Sequence, residues 1–151
     1  MTEHRLAARH FAWLAIILTG ALLQACGPND KGAAGPRQRV FAADVTGGAK
    51  VCDVPKITPA KDQSTDVAIK MANDGGWCGL PVHQSESKPF SAGLLSTRPA
   101  HGTVVIHQVG DETRIDYTPD RGFAGTDSFV VKLLPGNASV HVTATVTGPV
   151  A

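Results

Sequence analysis

The stretch that decides the fold runs from Arg98 to Val131 and reads RPAHGTVVIHQVGDETRIDYTPDRGFAGTDSFVV. Its segment 103–109 is rich in β-branched residues, which fit a pleated, half-buried surface. Segment 113–118 alternates polar and apolar side chains, and a period of two is typical of a strand with one solvated face. Gly110 to Glu112 supplies a turn between the two segments, so together they predict a β-hairpin.

Further strands are predicted on both sides of this hairpin. Pro119 to Gly122 predicts a turn, because proline presets φ and glycine accepts a positive φ. The other predicted strands are 127–133, with Phe129 and Val131 on one face, 65–72, with Val67, Ile69 and Met71 inward, and 89–95, with Phe90 in the core. With 16 glycines, 10 prolines and 5% aromatic residues, the composition favours turn-rich β structure over a helical bundle.

Three short motifs in the chain resemble those of the bacterial Ig-like, cadherin-like tandem repeats of large surface proteins. They are Pro-x-His-Gly-Thr-Val, Tyr-Thr-Pro-Asp and Gly-Phe-x-Gly-Thr-Asp-Ser-Phe, which begin at Pro99, Tyr117 and Gly122. The strand that ends in Asn73-Asp74 looks like the opening strand of those repeats, and 140–146 looks like their closing strand. The resemblance implies an Ig-like antiparallel β-sandwich of about seven strands, which we place at residues 51–148, and a spacer, adhesive or binding role.

The N-terminus has the pattern of an export signal. The apolar run Phe11 to Leu23 follows a basic flank and is short for a membrane span, which needs about 20 residues. Its end, Leu22 to Cys26, resembles the bacterial lipobox, which implies a lipoprotein signal peptide at 1–25 and a lipid on Cys26. An ordinary cleaved signal with an incidental cysteine is the alternative.

Two expectations follow for the exported chain. In a Gram-negative host, Gly27 after the lipidated cysteine implies sorting to the outer membrane, with the domain facing the periplasm or the cell surface. Residues 26–50 are rich in glycine, alanine and polar side chains, cannot bury enough apolar surface to order themselves, and predict a flexible tether.

The charge balance argues against partners that are bound through their negative charge. Two of the 14 basic residues (Arg5, Arg9) and one of the 13 acidic residues (Glu3) lie in the predicted signal peptide, which leaves 12 of each sign. A neutral chain has no electrostatic reason to bind nucleic acid or anionic lipid. We expect no cofactor.

Cys52 and Cys78 are the only cysteines that remain after Cys26. An even pair in an exported chain indicates a disulfide, with a metal or redox thiol pair as the alternative. For the neighbouring Trp77, one interpretation is packing on that disulfide, as in antibody domains. The other is an exposed aromatic anchor at a binding site.

The leading functional hypothesis is a non-enzymatic, lipid-anchored envelope module that binds a protein or a glycan, or assists assembly. Its candidate binding surface is one loop end that carries Gly75, Gly76, Trp77, Arg98 and His101, which combine an aromatic and two cationic-capable side chains with glycine-rich loops. No nucleophile motif or carboxylate pair indicates an enzyme.

The alternative hypothesis is a periplasmic copper- or zinc-handling lipoprotein. His107 and His141 alternate with apolar neighbours in predicted strands, and two such histidines on adjacent or opposing sheets can hold a metal ion. Six acidic residues could hold calcium, but they are scattered one per turn and fit turn capping better. They are Asp74, Asp111, Glu112, Asp116, Asp120 and Asp127.

Overall fold

The computed structural model describes residues 46–84 and 88–148. The strands in these ranges are β1 (Cys52–Asp53), β2 (Ser64–Ala72), β3 (Cys78–Val82), β4 (Ala92–Thr97), β5 (Gly102–Val109), β6 (Glu112–Pro119), β7 (Gly125–Leu134) and β8 (Ala138–Thr147). No helix in the same ranges is long and apolar enough to cross a membrane. The predicted signal peptide, Cys26 and the predicted tether up to residue 45 lie outside the described residues.

The strands form two sheets that pack as a sandwich. The larger sheet has the order β1-β2-β8-β7-β4, and the smaller has the order β3-β6-β5. The predicted fold class, an all-β sandwich of Ig-like type, is confirmed. Strands β2 and β8 pair in parallel, from Ser64 opposite Ser139 to Ala72 opposite Thr147. The expected antiparallel pairing is wrong for this one pair. After β2 the chain crosses to the smaller sheet, and only the last strand, β8, returns to lie beside β2.

The core fills the space between the two inner faces. Residues alternate inward and outward along β2, β7 and β8, as the strand period requires. The largest fully buried side chains include Tyr117, Phe129, Ile69, Met71, Leu80, Ile115 and Leu133. The rings of Tyr117 and Phe129 stack across the sheets with centroids 5.5 Å apart. Every core position predicted from the sequence is buried, Phe90 included.

Strand directions gather the loops into two groups. The β2–β3 loop (73–77), the β4–β5 loop (98–101) and the β6–β7 loop (120–124) lie at the same end of the sandwich, which we call the loop end. The β3–β4, β5–β6 and β7–β8 connections lie at the opposite end. This arrangement follows from the strand pairing, because the parallel or antiparallel sense of each pair fixes the end of the sandwich at which each strand begins and stops.

Two elements differ from the prediction. Strand β3 was not predicted, because Gly79 and Pro81 are poor strand residues. It lies at a sheet edge, where a missing proline N–H can cost no ladder hydrogen bond. Strand β4 begins at Ala92 rather than at residue 89, since the backbone N–H of Phe90 donates to the Thr113 hydroxyl instead of to a strand.

Candidate binding surface

The β4–β5 loop is fixed by the carboxylate of Asp127 in β7. This carboxylate accepts hydrogen bonds from the backbone N–H groups of Ala100 (2.9 Å), His101 (2.8 Å) and Ser128 (2.8 Å). It accepts a fourth from the Tyr117 hydroxyl at 2.9 Å. We call these four bonds the Asp127 clamp. Asp127 was predicted to cap its own turn, but only the bond from Ser128 is local; the loop that Asp127 caps is the distant one that carries Arg98 and His101.

The charge state of the clamp follows from its contacts. Burial alone would raise the pKa of Asp127, but the three N–H donors and the hydroxyl outweigh burial and hold this pKa below its usual value. Burial and the hydrogen bond to Asp127 raise the pKa of Tyr117. The clamp is therefore an anion with neutral donors, and charge strengthens each hydrogen bond. Tyr117 also reaches the carbonyl oxygen of His101 at 3.2 Å, so its hydroxyl contacts both the Asp127 carboxylate and the β4–β5 loop backbone.

Asn73 joins the other two loops of the loop end. It is almost fully buried, and its side-chain nitrogen donates to the carbonyl oxygens of Asp120 (2.8 Å) and Phe123 (2.9 Å). Its backbone N–H donates to the carbonyl oxygen of Thr147 at 2.9 Å. One amide side chain thus holds the β6–β7 loop against the end of β2.

Asp74 shapes the β2–β3 loop. Its carboxylate accepts hydrogen bonds from the backbone N–H groups of Lys50 (2.9 Å) and Gly76 (3.1 Å). The bonds from Lys50 and then Gly76 hold the pKa of Asp74 below its ordinary value. The predicted turn-capping role of Asp74 is confirmed. Its carboxylate is nevertheless exposed, so part of it faces solvent at the loop end.

A groove lies between the β2–β3 and β6–β7 loops. Its volume is about 560 Å³, and it is lined by Asn73, Asp74, Gly75, Pro119, Arg121 and Gly122. Asp74 and Arg121 are both exposed and place opposite charges on its two walls. Gly122 has φ +80°, a backbone conformation that glycine adopts without strain, which confirms the role predicted for this turn. Fixed loops therefore present to solvent a groove with one charged side chain on each wall.

Arg98 and His101 lie in the β4–β5 loop at the same loop end, and both are exposed. The His101 ring stacks on Phe123 of the β6–β7 loop, with centroids 4.4 Å apart and an interplanar angle of 14°. The Asp127 clamp fixes the backbone of His101, and Phe123 fixes its ring. The imidazole is thus presented at the loop end in one orientation.

Trp77, the third predicted surface residue, lies elsewhere. Its neighbour Cys78 points into the core, so Trp77 points to the outer face of the smaller sheet. The interpretation that Trp77 packs on the disulfide is wrong, since adjacent strand residues face opposite ways. The ring lies under the Arg114 guanidinium, 4.0 Å from the centroid, and its Nε1 donates to the carbonyl oxygen of Thr46. Trp77 is half-buried and does not line the groove.

A polar cluster continues from Trp77 across this outer face. Arg114 donates to Asp116 through Nε (2.7 Å) and a terminal nitrogen (2.8 Å), and His107 Nε2 lies 2.8 Å from the same carboxylate. We call Trp77, Arg114, Asp116 and His107 the face cluster. A Cβ on Gly79 would lie 2.7 Å from Asp116 Oδ1 and 2.9 Å from Arg114 Cδ, so glycine makes room for it. The alternation in segment 113–118 did indicate that Arg114 and Asp116 share the outer face of β6. A turn-capping role was nevertheless predicted for Asp116.

The predicted histidine pair is not a metal site. His107 belongs to β5 of the smaller sheet, whereas His141 belongs to β8 of the larger one. Both face outward, so two sheets packed about 10 Å apart separate them. His141 lies near Ser64 and Asp66 instead. Across the described ranges, no group of three or more His, Cys, Asp or Glu side chains could hold a metal ion.

The disulfide between Cys52 and Cys78 is present in the structure and joins β1 to β3. It staples the two sheets along one side of the sandwich. Residues 46–50, the end of the predicted tether, are also attached to the domain. Ala49 N–H donates to the Trp77 carbonyl oxygen (2.8 Å), and Trp77 N–H donates to that of Gly47 (3.1 Å). Attachment of the chain to the domain therefore begins before residue 51.

A second cavity, of about 340 Å³, lies at the opposite end between Pro59, Phe90 and Pro135. Lys61 is the only charged side chain among its described walls. Neither the Asp127 clamp nor Asn73 acts at this end. The loop end is the better candidate binding surface, because its loops are fixed and its walls are charged.

Comparison with known proteins agrees with this geometry. Residues 49–148 match the family described as "Bacterial Ig domain". The matched region contains the loop end, the face cluster and both cysteines of the disulfide. The comparison with curated proteins gives no match.

Proposed function

Because this chain belongs to the bacterial Ig domain family, we propose that it is a cell-envelope module that binds a protein or a glycan at its loop end. Members of this family typically serve as non-catalytic surface or binding modules. The specific ligand and the lipid anchor are our proposals.

The observation that carries the proposal is the groove between Asp74 and Arg121, at the loop end that also exposes Arg98 and His101. The Asp127 clamp and Asn73 hold the surrounding loops before any ligand arrives. A surface that is already ordered loses little conformational entropy on binding, which favours affinity. The loop end is therefore suited to recognition rather than to a spacer role.

The chemistry of the groove indicates the class of ligand. A carboxylate on one wall accepts hydrogen bonds, and a guanidinium on the other donates them. Gly75 and Gly122 leave backbone accessible between these two groups. Sugar hydroxyls and peptide groups both donate and accept, so a glycan or an extended peptide fits this pattern better than an apolar or a purely anionic ligand.

The anchoring part of the proposal concerns Cys26. The apolar run at 11–23, the lipobox-like Leu22 to Cys26 and Gly27 after it support a lipoprotein sorted to the outer membrane. The Cys52–Cys78 disulfide supports export, since disulfides persist in oxidising compartments. More than one acyl chain is needed for stable anchoring, because a single chain binds membranes only marginally.

The loop-end proposal is tested by photocrosslinking in cells. A photoreactive amino acid replaces Arg98 or Arg121 at the loop end, and Lys70 or Lys132 on the outer face of the larger sheet as matched controls. All four positions are exposed cations, so the replacements have similar effects on folding. We expect one reproducible protein or glycan adduct from the loop-end positions alone. Equal adducts from the control positions, or none from any position, would contradict the proposal.

The anchor is tested separately by mass spectrometry of the mature N-terminus. We expect Cys26 to be the first residue and to carry lipid. The Cys26→Ser variant should lose the lipid and leave the membrane fraction. An unmodified N-terminus in the wild type would refute the anchor without bearing on the loop end.

A further inference from the structure

Two edge strands lie next to each other on one side of the sandwich. Strand β4 is an edge strand of the larger sheet, and β5 is an edge strand of the smaller one. A connection of four residues, 98–101, joins them. Each has a single strand neighbour among the described residues, β7 for β4 and β6 for β5. Within the described ranges, no strand pairs with their outer edges, and such an edge can pair with another strand. We call this the β4–β5 side.

The β4–β5 side lacks the features that usually protect a sheet edge. Strands β4 (AGLLST) and β5 (GTVVIHQV) contain no proline and no Asp, Glu, Lys or Arg. Their one titratable side chain, His107, is bonded to Asp116. Strand β4 has a single irregularity, between Leu95 and Thr97, while β5 is regular along its whole length. Edge strands in soluble proteins normally carry charges or prolines that block pairing.

The opposite side of the sandwich carries those protections. There β3 contains Pro81, and its start is joined to residues 47–49 through Trp77. The two-residue strand β1 covers only the end of β2, and the Cys52–Cys78 disulfide joins the two sheets. Among the described residues, the two sides of the domain therefore differ in how well their edge strands are protected against pairing.

Exposed apolar side chains mark the same side. Val105 in β5 is 55% exposed and Leu94 in β4 is 53% exposed, and the remaining exposed large apolar residue of the described chain, Val51, lies on the other side. Gly93 faces Ile106, since a Cβ on Gly93 would lie 2.5 Å from Ile106 Cγ2. Leu94 and Val105, each one residue nearer the loop end than this contact, therefore stand at a similar height on the two outer faces.

We propose that the β4–β5 side is a homodimer interface in which β5 pairs antiparallel with β5 of a second copy. A twofold axis perpendicular to the sheet places outward-facing residues opposite outward-facing residues. The register that buries most apolar surface sets Val105 opposite its own counterpart and Thr103 opposite His107. A strand without charged residues can meet its own copy without like-charge repulsion, and this favours a second copy over a charged partner.

The same axis brings the β4 strands together in the larger sheet, with Leu94 opposite its counterpart. One symmetry operation then gives the outer edges of both β4 and β5 a partner strand. An eight-residue strand is about 27 Å long. Over this length and the thickness of the two packed sheets, the buried surface is roughly 500 Å² per copy and about 1,000 Å² in total. That total lies at the low end for specific complexes, and the dimer is accordingly a weak one, formed at elevated concentration.

The dimer leaves the proposed ligand surface free. Because the β5 strands run antiparallel, the two loop ends point in opposite directions. The pair then presents its two grooves at its two ends. This inference does not depend on the loop-end proposal, since no residue of the groove lies in β4 or β5.

The first test is sedimentation velocity of the full chain in detergent over a wide concentration range. The variant Val105→Lys places two like charges on the axis, and Val51→Lys, at another exposed valine on the other side, is its matched control. We expect dimer in the wild type and in Val51→Lys, and at least tenfold weaker dimerisation in Val105→Lys. Monomer at every concentration, or equal loss in both variants, would overturn the proposal. Matching melting temperatures verify that all three proteins are folded.

The second test measures the register directly. Residues directly opposite each other in an antiparallel pair have Cα atoms about 4.5 to 5.5 Å apart, within the range that a disulfide spans. In a Cys26→Ser background, Val105→Cys should form a covalent dimer on mild oxidation, and Val51→Cys should not. The same yield from both positions would show random collision instead of the proposed pairing.

Discussion

Replacing Asp127 by asparagine is the sharpest perturbation of the loop end. The side chain keeps its size, but one oxygen that accepts hydrogen bonds becomes an NH₂ group that only donates. In the wild type, Oδ1 accepts from Ala100 and Ser128, while Oδ2 accepts from His101 and the Tyr117 hydroxyl. Asparagine can keep Oδ1 in place, so that the bonds from Ala100 and Ser128 survive.

The magnitude follows from the other two bonds. The new NH₂ can donate to the Tyr117 oxygen, whose own proton then points to the His101 carbonyl oxygen, already 3.2 Å away. The His101 N–H has no such rescue and loses its acceptor. An unsatisfied polar group costs about 1 to 3 kcal/mol, and the remaining bonds weaken because their acceptor is no longer charged. We expect a loss of about 2 to 3 kcal/mol in the free energy of unfolding, or roughly 10 to 20 °C in Tm for a domain of this size.

The pH dependence separates this mechanism from simple misfit. The pKa of Asp127 is lowered in the folded protein, so its contribution is fully present above the unfolded pKa, about 4, and is lost as the pH falls through the folded pKa. Asparagine does not titrate. The stability difference between wild type and Asp127→Asn should therefore be constant from pH 7 to about pH 5 and shrink at lower pH.

Urea unfolding at a series of pH values, with the disulfide intact, measures this difference. The control is Asp111→Asn, an exposed aspartate in the β5–β6 turn, where we expect a change within about 0.5 kcal/mol. The reasoning is refuted if Asp127→Asn costs no more than this control. It is also refuted if its cost stays the same from pH 7 down to pH 2.

Three further predictions concern the rest of the domain. Replacing both Cys52 and Cys78 by serine removes a disulfide between residues 26 apart in the chain. In the chain-entropy model this should lower the free energy of unfolding by about 3 to 4 kcal/mol, measured against the oxidised wild type. Gly79→Ala pushes a Cβ into the face cluster and should cost about 1 to 3 kcal/mol in urea unfolding, whereas Gly148→Ala, which meets nothing within 4 Å, should be neutral. Tyr117→Phe removes a hydroxyl from the Asp127 clamp and should cost about 1 to 2 kcal/mol; an unchanged Tm would show that the clamp does not need it.

Much of the fold could be predicted because local chemistry and tertiary structure agree along it. The alternation in β2, β6 and β7 predicted which of their apolar side chains are buried, and Gly122 marked a turn that needs a positive φ. Strand β3 was missed because Pro81 and Gly79 have low strand propensity. Both are tolerated there by features of the assembled sheet, a free edge for Pro81 and the crowded face cluster for Gly79.

The candidate site was predictable only in part. Arg98 and His101 do lie in one exposed loop at the loop end, but Trp77 faces the outer side of the smaller sheet. Arg121 and Asn73, which help to form the groove, carry no local signal that distinguishes them from other turn residues. Their importance comes from loops that are distant in the chain and meet only when both sheets are in place.

The sequence by itself determined the periodicity of this protein, and thereby its class, its core faces, most of its turns and the pairing of its two remaining cysteines. These depend on neighbours a few residues apart or on the count of residue types. Only the tertiary structure decided which strands lie side by side and which outward side chains share a surface. It separated His107 from His141, placed Trp77 with Arg114, and left the edges of β4 and β5 adjacent. The physical reason is that strand order depends on the packing of two complete sheets, and alternation along one strand carries no information about it.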